Sequence, residues 1–355
     1  MKYKDVLEEA RNREITREEA IYLFKETTTE ERLLELLKTA SYVRDKNMGR
    51  EFKLWPFALS TNKGCSTNPP CRYCGQASSK IKMDISKDRI ASPEEVAKAA
   101  RIAEDLGFEG VQLGGGCSGH KGEEAVRDTE IVRSETNLQV FVNYGYDMSE
   151  ENIKKLKKLG VKRIGCSLET VNEEIFRKIK PGDSLEERKK VANLIDSNGV
   201  GLGSGLMIGI GESYEDRVEH IFYLKGFDNL NYVYVSGFFP IPGTPMEDRP
   251  PASSIDIAKT LAITRFVHRN IDIGGSFGRD DQLQLWILAG TNIRHIHGMF
   301  QPKMNKKSFT PKFKGKITKI SDRFVFINSL PIYAKMIKEA GLKPIPNAGN
   351  KEDEK

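Results

Sequence analysis

The segment LQVFVNYGYDMSEENIKKLKKLGVKRIGCSLE, residues 138–169, contains one complete strand–helix–strand unit. Residues 138–144 are rich in valine and aromatic side chains and predict a strand. In the following stretch, Ile153, Leu156 and Leu159 recur at helical spacing and predict an amphipathic helix. A second strand begins at Val161. The two strands are expected to run parallel, because parallel neighbours need a crossover connection of this kind.

The same alternation runs through most of the chain and predicts the fold. Eight strands and seven helical or loop crossovers can be assigned between Phe52 and Gly298. Eight such units over about 250 residues fit an α/β fold of the TIM type, a (β/α)8 barrel that is complete or partly open. An open doubly wound sheet is the alternative. No G-x-G-x-x-G motif follows the first strand, which lowers that option.

An extension is expected at each end of the barrel. Residues 1–50 predict helices, one of which begins with a capping box formed by Thr16 and Glu19. Residues 51–298 form the barrel. Residues 299–355 form a C-terminal extension whose final helix covers 330–341, and it would lie at the bottom or at the mouth of the barrel.

Composition indicates a soluble protein with no nucleic-acid or membrane partner. The 355 residues are 38% hydrophobic and 30% charged, and the net charge is +6. No block of five or six like charges suggests a nucleic-acid interface. No run of 18 apolar residues is present, and the N-terminus lacks the apolar stretch of a signal peptide. We therefore expect a cytoplasmic location, where thiols stay reduced.

The segment GCSTNPPCRYCGQ, residues 64–76, contains three of the five cysteines within a stretch of ten residues. Cys65, Cys71 and Cys74 follow the first predicted strand, at the C-terminal face where barrel enzymes build their active sites. Three thiolates can hold three irons of a four-iron, four-sulfur cluster, which leaves the fourth iron open to a small molecule. The turns that curl the loop around such a cluster would come from Gly64, Pro69, Pro70 and Gly75.

Other uses of the thiols remain open. A structural zinc site usually needs a fourth ligand, and Cys117 or His120 could supply it. Cys71 and Cys74 also have the C-x-x-C spacing of a redox pair. Cys117 and Cys166 are interpreted as small apolar residues rather than as ligands.

The cysteine spacing C-x5-C-x2-C, with Tyr73 before the last cysteine, resembles the motif of radical S-adenosylmethionine (SAM) enzymes, in which C-x3-C-x2-C is commoner. From about Ile15 to Gly298 the chain is similar to the biotin synthase subgroup, which includes methylornithine synthase and the [FeFe]-hydrogenase maturase HydE. The likeness is carried by REEAIYLF, LLELLKTASYVRDKNMG, SLET, SGLMIGIGES, PGTPMED and SFGRDDQ…LAGTN. Within the subgroup, the lengthened spacing is typical of the HmdB family, which is implicated in making the iron-guanylylpyridinol cofactor of [Fe]-hydrogenase.

The resemblance implies SAM contacts at several strand ends. Glu169 would accept the ribose hydroxyls, and Arg188 would pair with the methionine carboxylate, a geometry that suits a guanidinium. A capping or solvated acid is the alternative for Glu169, and a surface arginine is the alternative for Arg188. The remaining implied contacts are the backbone of Tyr73 and the side chain of Ile208 near adenine, close backbone approach at Gly205, Ser167 beside Glu169, and the backbone of Gly115 at the methionine amino group.

The sequence departs from the subgroup at two places, and these differences limit which reaction the enzyme can catalyse. Most members end their second strand in Gly-Gly-Glu, whereas this chain continues from Gly115 to Gly116 and Cys117, so the acid is missing. The cysteines that hold the second cluster of biotin synthase are also unmatched. Their places are taken by Gln112, Phe141 and Gly203, which argues against sulfur insertion.

Three further polar residues lie on or near the last predicted strands. Arg279 follows the seventh predicted strand, and its counterpart in biotin synthase lies beside the second cluster. Here we expect it to meet an acidic or iron-bound substrate, or to pair with Asp280 or Asp281. His295 and His297 alternate on the last predicted strand, and packing is the favoured interpretation for both.

These features predict a radical enzyme. Reductive cleavage of SAM at a [4Fe-4S] cluster would give a 5′-deoxyadenosyl radical, and the substrate would be a small precursor of the guanylylpyridinol cofactor. An electron donor of the ferredoxin or flavodoxin type is implied. The alternatives are another enzyme of the subgroup, such as a HydE-like maturase or an amino-acid mutase, and a zinc-stabilised barrel that binds a metabolite or a partner without radical chemistry.

Overall fold

Parallel strands form the barrel that the sequence predicts. The structure is a computed structural model, which describes residues 2–57, 59–61, 65–75, 90–275, 280–300 and 315–346. The strands of the barrel are β1 (Glu51–Phe57), β2 (Leu59–Ser60), β3 (Gly110–Gly114), β4 (Gln139–Asn143), β5 (Arg163–Gly165), β6 (Gly201–Ile208), β7 (Leu230–Gly237), β8 (Asp272–Gly275) and β9 (Ile293–His297). Each pairs with its neighbours in parallel.

The first barrel strand, formed by β1 and β2, closes the ring. β1 pairs with β9 from Lys53 to Phe57, whereas β2 pairs with β3 at Leu59 and Ser60. The order β1-β9-β8-β7-β6-β5-β4-β3-β2 therefore returns to the strand at which it begins. The predicted (β/α)8 architecture is confirmed.

Helices lie between the strands, and serine side chains begin most of those in the barrel. The helices are α1 (Tyr3–Asn12), α2 (Arg17–Glu26), α3 (Glu30–Met48), α4 (Pro93–Asp105), α5 (Glu123–Glu135), α6 (Glu150–Lys158), α7 (Glu173–Ile179), α8 (Leu185–Ser197), α9 (Tyr214–Tyr223), α10 (Ser254–Val267), α11 (Leu283–Leu288) and α12 (Leu330–Glu339). Backbone N–H groups of the first turn donate to Ser92, Ser149, Ser184, Ser213 and Ser253. Among the described residues, no helix is long and apolar enough to cross a bilayer.

Three helices precede the barrel. Thr16 forms the predicted capping box with Glu19 at the start of α2. α3 ends at Gly49, whose φ of 77° is readily adopted by glycine. Arg44 of α3 donates a hydrogen bond of 2.6 Å to the carbonyl of Ile287, the sixth-last residue before β9. The N-terminal helices are thereby joined to the last unit of the barrel.

The C-terminal extension lies at both ends of the barrel. β10 (Met299–Phe300), β11 (Lys316–Lys319) and β12 (Val325–Asn328) form an antiparallel sheet that continues from the C-terminal end of β9. After α12, β13 (Lys343–Ile345) pairs in parallel with Glu51–Lys53, at the N-terminal end of β1. α12 lies within the range 330–341 predicted for the final helix, whereas the four short strands were not predicted.

Aromatic rings divide the interior of the barrel. The rings of Trp55 and Phe141 lie 3.9 Å apart, and Tyr232 and Ile293 complete the cluster. The Arg163 guanidinium lies 4.7 Å from the Phe141 ring centre and 4.6 Å from that of Tyr232. We call the cluster of Trp55, Phe141, Tyr232 and Ile293 the aromatic floor. It separates the N-terminal end of the barrel from the C-terminal face, where the cysteine loop lies.

Candidate active site

The cysteine loop is held between β3 and α7. The backbone N–H of Ser66 donates to the carbonyl of Cys117, just beyond β3, at 2.6 Å. The N–H of Arg72 donates to the carbonyl of Ile179, the last residue of α7, at 2.8 Å. Cys65, Cys71 and Cys74 are each partly buried. The loop is therefore fixed at the mouth of the barrel, as the sequence predicts, with its cysteines partly exposed to solvent.

Close backbone packing fixes the middle of the loop. A Cβ atom added at Gly182 would collide with the backbone of Asn68 and Pro69. At Gly75 an added Cβ would lie 3.4 Å from Ile241. Gly64, the first of the predicted turn residues, lies outside the described residues. The segment after α7 thus serves as a platform for the cysteine loop.

The thiols of the loop differ in their electrostatic environment. Hydrogen bonding to Cys117, supported by Thr67, lowers the pKa of Cys65 to about 5. The same contact with Cys65, together with burial, raises the pKa of Cys117. Burial raises the pKa of Cys71, and the nearby charge of Lys180 opposes that shift. This environment favours the thiolate form of Cys65, which is the form that binds a metal.

The described residues do not show the closed zinc site that is one alternative for the cysteines. In the described part of the chain, no three histidine, cysteine or acidic side chains converge on one point that could hold a single metal ion. His120, one of the two candidates for a fourth zinc ligand, instead pairs with Glu124, with 2.6 Å between Nδ1 and Oε1. A cluster does not need such convergence, because each thiolate binds a different iron.

The two remaining cysteines have different surroundings. Cys166 is fully buried and its Sγ lies 3.4 Å from the carbonyl oxygen of Arg188, in agreement with its interpretation as a core residue. Cys117 is also buried, but its thiol contacts that of Cys65. This contact could not be predicted from sequence, because 51 residues separate the two cysteines along the chain.

Glu169 is held in an unusual backbone conformation. Its φ of 62° lies in the left-handed region, which non-glycine residues seldom adopt. Its N–H donates to Gly205 at 3.0 Å, and its carbonyl accepts from Met207 at 2.8 Å. Its side chain is 13% exposed, and Asn172 caps the next helix instead. Glu169 is therefore neither a capping nor a solvated acid, and strain of this kind is often found at functional sites.

Arg188 is buried, not a surface arginine. It is 5% exposed, and its Nη1 donates to the carbonyl of Ser167 at 2.5 Å. Nε and Nη2 both donate to the carboxylate of Asp183. Burial acts to lower the pKa of Arg188, but its bonds to Asp183 outweigh burial and raise it. The guanidinium has five N–H donors, and these bonds use three of them.

Lys180 connects the predicted residues with one another. Its Nζ lies 3.3 Å from Tyr73 Oη, 3.4 Å from Asp183 Oδ2 and 3.8 Å from Glu169 Oε1. Sequence reasoning missed Lys180 and Asp183. The available signal was KPGD, residues 180–183, in which a helix-breaking Pro-Gly separates two opposite charges just before α8.

The other predicted contacts lie on the strand ends around this group. Ser167 Oγ donates to the carbonyl of Gly205 at 3.1 Å. At Gly205 itself, an added Cβ would collide with the ring of Tyr234, so this glycine makes room for an aromatic side chain. The N–H of Gly115 donates to the carbonyl of Asn143 at 3.1 Å, and Ile208 is buried at the end of β6.

A polar cavity lies between the aromatic floor and the mouth of the barrel. It has a volume of about 180 Å³. The side chains that line it carry amides, hydroxyls, an imidazole and a guanidinium, and the lining residues are Gln112, Asn143, Tyr232, Tyr234, Ser236, Gly275, Arg294 and His295. Burial lowers the pKa of His295 to about 3, so its imidazole is neutral. Arg279 and the His297 side chain lie outside the described residues.

Comparison with known proteins agrees with this geometry. Residues 59–224 match the family model of the Radical SAM superfamily. An uncharacterized protein of Methanocaldococcus jannaschii is 42% identical over 334 residues, which cover 93% of this chain and 84% of the relative. Biotin synthase of Clostridium perfringens is 29% identical over 282 residues, which cover 79% and 84%. The crystal structure of methylornithine synthase superposes with a TM-score of 0.77 and 21% identity over 96% of both chains, a likeness of fold.

Proposed function

The chain belongs to the radical SAM superfamily, and we propose that its reaction is a step in the biosynthesis of the iron-guanylylpyridinol cofactor of [Fe]-hydrogenase. As a radical SAM enzyme of biotin synthase-like type, it uses a [4Fe-4S] cluster and SAM. Together these groups supply reductive cleavage of the carbon–sulfur bond of SAM, which yields methionine and a 5′-deoxyadenosyl radical.

In this proposal the residues of the chain bind and orient the reactants. Cys65, Cys71 and Cys74 hold the cluster at the mouth of the barrel. Glu169 accepts the ribose hydroxyls from its strained position on the rim, and the two N–H donors of Arg188 not used by Asp183 and Ser167 meet the methionine carboxylate. A low-potential donor of the ferredoxin or flavodoxin type supplies the electron.

The observation that carries the choice of pathway is the cysteine spacing. Five residues separate Cys65 from Cys71, the spacing that resembles the HmdB family. The barrel interior supports the choice, because sulfur insertion is disfavoured there. At the places of the second-cluster cysteines of biotin synthase, Gln112 lines the cavity, Phe141 belongs to the aromatic floor, and Gly203 packs against Arg163 and Tyr232.

The cavity above the floor supports a small polar substrate. Side-chain amides at Gln112 and Asn143 and hydroxyls at Tyr234 and Ser236 offer both donors and acceptors. A pyridinol precursor has the matching combination of ring and polar substituents. The aromatic floor would stop it from moving deeper, so its reacting carbon would stay near the mouth, where the radical is formed.

The proposal is tested with a strain that lacks the gene. Anaerobically reconstituted enzyme, SAM and a low-potential reductant are added to an extract of that strain, and the guanylylpyridinol cofactor is measured by mass spectrometry together with 5′-deoxyadenosine. We expect both products with the wild-type enzyme and neither with Cys71→Ala. Cofactor in the extract without added enzyme, or 5′-deoxyadenosine without cofactor, would contradict the proposed pathway.

A further inference from the structure

Lys180 places an ammonium group in the interior, directly beside the cysteine loop. The residue is 4% exposed and follows the last turn of α7, where its N–H donates to the carbonyl of Phe176 at 2.8 Å. Lysine is rarely buried to this extent unless it is paired. A buried lysine at this position therefore calls for a specific partner or role.

Two carboxylates lie near the ammonium group of Lys180, but neither forms a short ion pair with it. Glu169 and Asp183 lie at 3.8 and 3.4 Å, and the closest polar contact is the neutral hydroxyl of Tyr73 at 3.3 Å. Asp183, in contrast, receives a bond of 2.6 Å from Arg188 Nη2. Asp183 is thus paired mainly with Arg188, and the charge of Lys180 is only partly neutralised by close contacts.

The backbone fixes Lys180 relative to the cysteines. The residue before it, Ile179, accepts a hydrogen bond from Arg72 within the loop, and Gly182 packs against Asn68 and Pro69. Tyr73, which contacts the ammonium group, lies directly before Cys74. The position of this charge is consequently set by the same contacts that position the metal ligands.

A cluster held by three thiolates is anionic, and its reduction adds one more negative charge. Net charge near an iron–sulfur cluster is one of the features that set its reduction potential. Four charged side chains form one ion-paired group beside the loop, and these residues, Lys180, Arg188, Glu169 and Asp183, carry two positive and two negative charges. Removal of the charge of Lys180 or of Asp183 would leave these four side chains with a net charge.

We propose that Lys180 is a positioning residue for the cluster: its fixed positive charge favours the reduced cluster and so raises the reduction potential at which the enzyme accepts its electron. The step is the transfer of one electron from a low-potential donor to the oxidised cluster, with no proton taken up. This role rests on the cluster site of the superfamily and is independent of the pathway proposed above.

The test compares three variants by EPR-monitored redox titration of the reconstituted enzyme without SAM. Lys180→Met removes the charge and keeps a long apolar side chain, and Lys180→Arg keeps the charge. Lys178→Met removes an exposed lysine in the last turn of α7. For Lys180→Met, the ratio of reduced to oxidised cluster at a fixed potential should fall about tenfold, which is about 59 mV for one electron. The other two variants should titrate like the wild type.

The variant Asp183→Asn should shift the reduction potential of the cluster in the opposite direction. Loss of the carboxylate leaves an excess of positive charge, so the reduced fraction should rise, and this variant keeps the proposal testable if Lys180→Met does not take up the cluster. An unchanged potential in Lys180→Met, an equal shift in Lys180→Arg, or a lowered potential in Asp183→Asn would each overturn the proposal. Failure of the pathway test would leave these potentials unaffected.

Discussion

Arg188 and Asp183 form a buried ion pair with two-point geometry at the centre of the site. Nε of Arg188 lies 3.1 and 3.0 Å from the two carboxylate oxygens of Asp183, and Nη2 donates to one of them at 2.6 Å. The Asp183 side chain is 1% exposed and the Arg188 side chain 6%. The pair joins the platform beneath the cysteine loop to the helix that carries the proposed carboxylate-binding residue.

Loss of one partner should therefore destabilise the enzyme strongly. We expect Asp183→Ala to lower the free energy of unfolding by about 3–5 kcal/mol, because a buried guanidinium loses its counter-charge. Glu187→Ala is the control, since it breaks an exposed pair with Lys190 in the same helix and should cost at most about 1 kcal/mol. Urea unfolding of the reconstituted proteins measures both. Equal effects of the two variants would show that burial of the Asp183 pair adds nothing.

The backbone of Glu169 allows strain and chemistry to be separated. Glu169→Gly and Glu169→Ala both remove the carboxylate, but only glycine adopts a φ of 62° without strain. We expect the glycine variant to be more stable than the alanine variant by about 1 kcal/mol. Both should lose SAM-dependent formation of 5′-deoxyadenosine. A glycine variant no more stable than the alanine variant would mean that the observed φ is not strained.

Much of the fold could be predicted because its signals are local. Ser92 and Pro93 begin a helix through neighbouring atoms alone, and the spacing of Ile153 and Leu156 shows which face of a helix is buried. The short strands β10 to β13 were missed because a strand of two to four residues is stabilised by a distant partner, as β13 is by Glu51–Lys53. No local pattern contains that information.

The site was predicted in part for the same reason. The spacing of the three cysteines points to a cluster without knowledge of the fold. The burial of the Lys180 and Asp183 side chains, in contrast, depends on packing of their segment against a loop more than 100 residues away in sequence. In the run KIKPGDSLEERKK, residues 178–190, their charges look like those of a solvated surface. Arg188 was open to both interpretations, and only tertiary structure distinguishes them.

The contact of Cys117 with Cys65 predicts a change in thiol reactivity. Hydrogen bonding to Cys117 lowers the pKa of Cys65 to about 5, so Cys117→Ala should raise that pKa toward its ordinary value near 9. In the cluster-free protein at pH 6.5, alkylation of Cys65 by iodoacetamide should slow at least tenfold, as followed by peptide mass spectrometry.

The Cys117→Ala variant also tests whether Cys117 is only a hydrogen-bond partner of Cys65 or is itself a ligand of the cluster. Cys117→Ala should still take up about four irons per chain, because Cys65, Cys71 and Cys74 are the three proposed cluster ligands. Cys65→Ala is the matched variant, and it should bind little iron. Loss of iron binding in Cys117→Ala would identify a fourth ligand and remove the open iron on which the proposed chemistry depends.

The buried imidazole of His220 should make the free energy of unfolding depend on pH. The ring lies buried in α9, and neither nitrogen has a hydrogen-bond partner among the described residues. Burial lowers its pKa from 6.5 to about 3. Between these values the unfolded chain binds the proton and the folded chain does not, so stability is complete above about pH 6.5 and is lost as the pH falls. At pH 5 the loss from His220 should be about 2 kcal/mol.

His220→Leu should remove this loss, because a leucine of similar size binds no proton and needs no hydrogen bond. Relative to the wild type, its free energy of unfolding should rise by about 2 kcal/mol more at pH 5 than at pH 7.5. His120→Gln is the control of opposite sign, since Glu124 raises the pKa of His120 and that pair stabilises the fold only while the histidine is charged. The control should therefore lose stability at pH 5 and not at pH 8. A wild-type pH dependence in His220→Leu would show that the buried imidazole is protonated in the folded enzyme or reaches water that supplies its hydrogen bonds.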